Sequence, residues 1–195
     1  MENQIVARKT NRREMLKLSS MGVLGGLAAN ALTSGKAQAA EGTVNVSYAS
    51  WIHGHSMQVE YPDRLARHER LGWGTVVEGN PGTSNWFHFA IPTPVVLNDV
   101  RLQADSIMVC FNVESVDAII ENVHVYDGPN RIATFENINL QPEEPFVRLT
   151  LPDTPTMGLA LGLSLGVAFG VEPVNHTMMF SAIGCDFVFR PVSEE

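Results

Sequence analysis

The chain has 195 residues, of which 45% are hydrophobic, 21 are acidic and 13 are basic, giving a formal net charge of −8. All three lysines lie within the first 39 residues, and residues 40–195 hold seven arginines against nineteen acidic residues, a net charge of −12. A lysine-free acidic surface repels phosphate backbones and anionic lipids, so neither nucleic acid nor a membrane surface is expected as a partner. Lysine-based covalent catalysis is excluded as well.

The N-terminal 39 residues have the pattern of an export signal. Arg12 and Arg13 resemble the paired arginines of twin-arginine signal peptides, and a Gly- and Ala-rich apolar stretch follows them. The stretch ends in an A-x-A cleavage site, which predicts cleavage between Ala39 and Ala40. We therefore expect a periplasmic or extracellular mature protein with no transmembrane segment after signal removal. A general secretory signal and a retained N-terminal anchor are the alternatives.

Short apolar runs separated by turn residues predict about ten strands after the signal. They lie at 43–51, 57–61, 75–78, 86–91, 99–103, 107–113, 118–126, 131–135, 146–151, 158–171 and 176–189. Residues 62–71 are the only helix candidate, because Pro62 suits a first helical turn and Asp63 suits its positive end. His53-Gly-His55 is predicted to be a tight bend, and Asp127-Gly-Pro-Asn130 a β-turn.

Residues 158–171 alternate strictly between large apolar and tiny side chains. Odd positions hold Leu, Val or Phe, and even positions hold Gly, Ala or Ser. Because successive side chains of a strand point to opposite faces, we predict a long central strand with all its bulk on one face. Glycine weakens a strand, so the tiny face predicts a closely packed neighbour: overlying aromatic rings, a second sheet or another subunit.

Many short strands without helix–strand alternation predict an all-β fold. The expected architecture is an antiparallel two-sheet sandwich, jelly-roll-like, formed by residues 40–195 as a single domain. Four motifs support a resemblance: Trp51-Ile-His-Gly54, Trp86-Phe-His88 running into Ile91-Pro-Thr-Pro94, Val125-Tyr-Asp-Gly128 and Gly184-Cys-Asp-Phe187. On these motifs the domain resembles small exported bacterial β-sandwich proteins of no assigned activity. The resemblance implies a fold and a location, and carries over no catalytic residue.

His53 and His55 are the strongest candidates for metal ligands, since residues i and i+2 of a strand point the same way. With Glu60 and a later His88, they resemble the first motif of cupins, small β-barrels that use H-x-H, a nearby Glu and another His. The glycines expected around that motif are missing, and Gly54 suggests a bend where a strand is required. Ordinary polar loop and strand-edge histidines are the alternative interpretation.

Aromatic side chains gather in the N-terminal half of the domain, among predicted loops. Exposed flat rings with polar neighbours stack on sugar rings, and a β-sandwich is a common scaffold for them. The candidate ligand-binding residues are therefore Trp51, Trp73, Trp86 and Tyr61, with core packing as the alternative. Ser164 lies mid-strand on the tiny face and not on a strand-to-helix turn, so no catalytic residue is predicted.

Two cysteines remain, and an oxidising compartment permits a bridge between them. Strand parity places Cys185 on the core side with Ile183 and Phe187, but Cys110 on the opposite face of its strand. A disulfide and two separate buried thiols therefore both stay open.

Together these features predict an exported binding or structural module without a cofactor. The expected partners are another copy of the chain, a surface component or a glycan. The alternative is a cupin-like enzyme that uses a divalent metal held by His53, His55, Glu60 and His88.

Overall fold

The structure is a computed structural model that describes residues 46–142 and 146–189. The predicted signal peptide, with Arg12, Arg13, Ala39 and Ala40, lies outside the described residues, as does the start of the first predicted strand. Within the described ranges no helix is long and apolar enough to cross a membrane.

Thirteen strands make up the described part of the chain. The first seven are β1 (Tyr48–His53), β2 (Gln58–Val59), β3 (Leu65–Leu71), β4 (Gly74–Gly79), β5 (Ser84–Ile91), β6 (Val96–Leu97) and β7 (Val100–Arg101). The others are β8 (Gln103–Val113), β9 (Ala118–Asp127), β10 (Asn130–Phe135), β11 (Val147–Thr150), β12 (Leu161–Phe169) and β13 (Thr177–Val188). Two short 3-10 turns, Gly54–Ser56 and Pro62–Arg64, complete the described elements.

The strands form two antiparallel sheets, which confirms the all-β sandwich. Sheet 1 has the order β11-β8-β13-β4-β3, and β1 pairs with the C-terminal half of β13. Sheet 2 has the order β10-β9-β12-β5-β2. The small hairpin of β6 and β7 stands apart from both. The two long alternating strands of the sequence, β12 and β13, are the central strands of sheets 2 and 1.

The hydrophobic core lies between the two sheets. On β12 the large side chains are all at most 2% exposed, as their alternation predicts: Leu161, Leu163, Leu165, Val167 and Phe169. The predicted strand 158–171 is longer than β12, which begins at Leu161 and ends at Phe169. Leu159 and Val171 lie outside the strand and are exposed. The Asp127 carboxylate accepts the backbone N–H groups of Gly158 and Leu159, each at 2.7 Å, and this holds that segment outside the sheet.

The predicted helix over residues 62–71 is wrong. Pro62 does begin a helical turn, but that turn is 3-10 and ends at Arg64, and the chain continues as edge strand β3. Pairing with β4 satisfies the β3 backbone on one side. The charged side chains on the open edge, such as Arg67 and Glu69, suit an edge strand that must not pair with another chain.

Cys110 and Cys185 lie on opposite faces of sheet 1, as strand parity predicts. Cys185 belongs to the core, and burial raises the pKa of its thiol. Cys110 on β8 is opposite Ala182, whereas Cys185 is opposite Ile107. The two sulfurs are not joined.

Candidate functional site

The outer face of sheet 2 carries a concentration of aromatic and polar side chains along the tiny side of β12. Gly162, Ser164, Gly166 and Ala168 project little, so the larger side chains of the neighbouring strands stand higher on both sides of them. We call this surface the Trp86 face. It consists of Trp86 and His88 from β5, Asn122, His124 and Tyr126 from β9, and Ser164 from β12.

Trp86 lies across Gly166. A Cβ built on Gly166 would stand 2.9 and 3.0 Å from two atoms of the indole ring, and 3.1 Å from the Cβ of Asn122. The indole reaches the ring of His124 beyond, at a centroid distance of 4.8 Å. An overlying aromatic ring is thus the close neighbour that the tiny face predicts, and only glycine leaves room for it. Over Gly162 the space is more open, since the Cβ of Tyr126 would be at 3.7 Å.

A chain of hydrogen bonds joins three segments across this face. Ser164 Oγ is 2.9 Å from His88 Nδ1, and His88 Nε2 is 3.0 Å from the Glu60 carboxylate. A carboxylate only accepts, so Nε2–H of His88 donates to Glu60, and the Ser164 hydroxyl can donate to Nδ1 or accept from it. His88 and Glu60 are 39% and 37% exposed, which leaves both within reach of a ligand.

Tyr61 extends the chain at the Glu60 end. A hydrogen bond from Tyr61 lowers the pKa of the Glu60 carboxyl, and His88 and Arg64 act in the same direction against desolvation. The same bond raises the pKa of Tyr61, whose ring stacks with the Arg64 guanidinium at 4.0 Å. Asn85, fully buried, holds the Tyr61 backbone by accepting its N–H and donating to its carbonyl. Glu60 is therefore an ionised acceptor on a fixed backbone.

The other edge of the Trp86 face is also polar. His124 Nε2 is 3.6 Å from the carboxylate of Glu136, just beyond β10. Beside Trp86, a hollow of about 120 Å³ opens between β5 and β9, bounded by Glu121, Asn122 and Gly166 among others. The face is an open, shallow surface that combines a flat ring with hydrogen-bonding groups.

The predicted four-ligand metal site is not assembled. His53 and His55 pack against each other at a ring distance of 4.2 Å, while Glu60 pairs with His88. His53 ends β1 and its ring accepts the backbone N–H of His55, whose own ring bonds to the carbonyl of Leu71. The two histidines thus tie down a turn. Among the described residues no three His, Cys, Asp or Glu side chains form a group able to hold a metal.

The predicted ligand-binding aromatics do not share one surface. Trp86 lies on the Trp86 face, and Tyr61 adjoins it through Glu60. Trp51 is 40% exposed on the outer face of sheet 1, and Trp73 is 53% exposed in the turn between β3 and β4. Trp73 borders a separate hollow of about 80 Å³.

Sequence reasoning overlooked half of the Trp86 face. Asn122, His124 and Tyr126 alternate with core valines, so their shared orientation was visible in the sequence, but their facing partners were not. Ser164 was placed correctly on the tiny face. Its role in a hydrogen-bonded chain depends on His88, 76 residues away in sequence.

Comparisons with known proteins return β-sandwich carbohydrate-binding modules among solved structures, and no curated protein matches the chain. A low-affinity xylan-binding module, CBM86, from Roseburia intestinalis is 12% identical, covering 72% of this chain and 96% of that one, with a TM-score of 0.44. The CBM36-1 domain of a multidomain xylanase from the hindgut metagenome of Trinervitermes trinervoides is 8% identical, covering 74% and 100%, with a TM-score of 0.37.

A third structure, TmCBM61 in complex with β-1,4-galactotriose, is 11% identical, covering 74% of this chain and 90% of that one, with a TM-score of 0.36. A family model matches residues 46–191, which include every strand described above. The chain belongs to the family of unknown function DUF6623.

Proposed function

We propose that this protein is an exported binding module whose Trp86 face binds an uncharged polysaccharide. The observation that carries the proposal is the Trp86 indole lying on Gly166 beside the hydrogen-bonded chain of Glu60, His88 and Ser164. A flat ring next to fixed donors and acceptors matches a sugar, which has an apolar face and a rim of hydroxyl groups.

The shape of the surface favours an extended ligand over a small enclosed one. The Trp86 face follows the tiny side of β12, with its larger side chains on β5 and β9, so an extended polymer can lie along the strand. Pockets that enclose small molecules are typically 300–1,000 Å³, roughly, whereas the hollow beside Trp86 is about 120 Å³.

The charge of the surface favours an uncharged sugar. Glu60, Glu121 and Glu136 place carboxylates around the Trp86 face, and the domain as a whole is strongly acidic. Carboxylates accept hydrogen bonds from sugar hydroxyls, but they repel the acid groups of a polyuronate.

Trp86→Ala is expected to weaken binding by about tenfold or more, because the stacking surface is lost while the sheet remains. Affinity electrophoresis and calorimetry against xylan, galactan, β-glucan, mannan and polygalacturonate measure the effect. Trp73→Ala is the matched control: it removes a more exposed tryptophan that lies outside the Trp86 face, so binding should not change.

Equal binding by wild type and Trp86→Ala would contradict the proposal. If light scattering showed that the wild type is a dimer and that Trp86→Ala dissociates it, the face would instead bind a second copy of the chain.

Ser164, His88 and Glu60 also have the Ser–His–carboxylate connectivity of a hydrolytic triad, but the ring nitrogens are exchanged, since Ser164 meets Nδ1 and Glu60 meets Nε2. Acyl transfer also needs donors that stabilise an oxyanion next to the serine. Ser164 lies in the middle of β12, which pairs with β5 on one side and β9 on the other, so the sheet uses the neighbouring backbone N–H groups. We therefore assign these residues to ligand binding.

We further propose that the twin-arginine route exports the protein. Replacing Arg12 and Arg13 together with Lys keeps the charge but removes the arginine pair, so the precursor should remain in the cytoplasm. Cell fractionation and intact mass check this, and the exported wild type should begin at Ala40. Arg8→Lys, outside the motif, is the control. Normal export of the double variant would refute the twin-arginine assignment.

A further inference from the structure

A second tryptophan lies against the central strand of the other sheet. Trp51 of β1 lies over Gly184 of β13, where a Cβ would stand 2.5, 2.7 and 2.8 Å from three atoms of the indole. Those atoms belong to the fused bond of the ring system and its neighbour, so the indole covers the glycine. With 40% of Trp51 exposed, part of the ring remains open to solvent.

The neighbours of Trp51 form a second mixed surface. Beyond Gly184, Met108 of β8 is fully buried although it lies on the outer face of sheet 1, and Arg148 of β11 stands opposite Met108. The ring of Phe146 is 5.4 Å from that of Trp51. We call Trp51, Met108, Phe146, Arg148 and Gly184 the Trp51 face.

Arg148 is held rigidly beside the rings. Its Nη1 donates to the Asp186 carboxylate at 2.7 Å and to Ser106 Oγ, and its guanidinium lies 5.5 Å from the centre of the Phe146 ring. Asp186 is only 8% exposed, whereas Arg148 is 43% exposed. The guanidinium has five N–H donors, so two fixed bonds leave others directed away from the ion pair.

We propose that the Trp51 face is a second sugar-binding surface, so that one molecule bridges two polysaccharide chains. The exposed part of the indole offers a stacking surface, and Arg148 supplies donors for neighbouring hydroxyls. Arg148 and Asp186 form a pair of zero net charge, which gives no preference for a charged sugar. The class of ligand in this proposal rests on the proposed function. The site itself is separate, because it shares no residue with the Trp86 face.

The two faces lie on opposite sides of the sandwich, because each is the outer surface of a different sheet. The core between the sheets is about 10 Å thick, so the stacked layers separate the two tryptophans. A single extended polysaccharide that follows one face does not reach the other. Binding at both faces therefore links different polysaccharide molecules.

The probe is the soluble polysaccharide that binds the wild type most tightly among xylan, galactan, β-glucan and mannan. Calorimetry measures binding, and light scattering measures cross-linking across a range of protein-to-polymer ratios. Variants are Trp51→Ala, Trp86→Ala, the double variant, and Arg148→Lys in the Trp86→Ala background. Val116→Ala, which alters an 87% exposed side chain outside both faces, is the control.

We expect each single tryptophan variant to bind about tenfold or more weakly at the altered face, to keep binding at the other face and to lose cross-linking, and the double variant to lose binding at both faces. Arg148→Lys preserves a charge for Asp186 but removes the planar donors, so it should weaken the remaining binding about tenfold. It also tests the face if Trp51→Ala does not fold.

Unchanged affinity and cross-linking in Trp51→Ala would overturn the second site and leave the proposed function intact. If Trp51→Ala loses binding while Trp86→Ala binds as the wild type does, the result would support the Trp51 face and overturn the proposed function. Absence of binding to all four polysaccharides would overturn both.

Discussion

Gly54→Ala is expected to lower the free energy of unfolding by on the order of 3 kcal/mol or more, the largest effect foreseen for a methyl group added to a described glycine. Gly54 is buried, and its backbone presses on β13 at Phe180 and Ser181. An added Cβ would overlap the carbonyl oxygen of Phe180 and stand 2.8 Å from its carbonyl carbon. Both are main-chain atoms of a central strand, which cannot rotate aside.

The location explains why the contact is so close. At Ser181 the register of β13 shifts, and its pairing along one edge changes from β4 to β1. The turn that begins at Gly54 closes this junction, and Thr75 Oγ1 donates to the Gly54 carbonyl at 3.0 Å. The substitution therefore disturbs two strand pairings at once.

Chemical and thermal unfolding of Gly54→Ala and Gly72→Ala measure the effect. Gly72 lies in the β3–β4 turn, where an added Cβ would meet only open space, so its substitution should change stability by less than about 0.5 kcal/mol. A loss of 3 kcal/mol lowers the melting temperature by about 6–12 °C in a domain of this size. Equal stability of the two variants would show that the turn does not press on β13.

Gly166→Leu is expected to lower stability by about 1–3 kcal/mol and to weaken polysaccharide binding by about tenfold or more. The new side chain takes the space occupied by the Trp86 indole and the Cβ of Asn122. Because these groups lie on an outer face, Trp86 can swing toward solvent, which limits the loss of stability but displaces the stacking ring. The protein should therefore remain folded while it loses affinity.

Gly162→Leu is the matched control for stability, four residues earlier on the same face of β12. A Cβ there makes only an ordinary contact with Tyr126, and leucine suits a strand better than glycine does. Its melting temperature should equal or exceed that of the wild type. The tiny face alone predicts equal disruption at both positions, so this difference tests the position of Trp86. A Gly166→Leu protein with normal melting and normal binding would refute that position.

The sequence by itself determined which side chains belong to the core and which to the outer faces. Alternation along β12 and β13 is a local property of an extended backbone, and it holds in any sheet. It also separated Cys110 from Cys185 and marked the tiny face of β12 as a place of close packing. The all-β class followed in the same way, from short runs bounded by turn residues.

Only the tertiary structure decided which strands are neighbours and what the glycines accommodate. Glu60, His88 and Ser164 lie far apart in sequence and meet because β2, β5 and β12 are neighbours in sheet 2. His53-Gly-His55 forms the predicted bend, but the close contact of Gly54 with β13 was not contained in the sequence. Residues 65–71 become a strand because β4 offers them a ladder of backbone hydrogen bonds, a long-range interaction that local propensity does not contain.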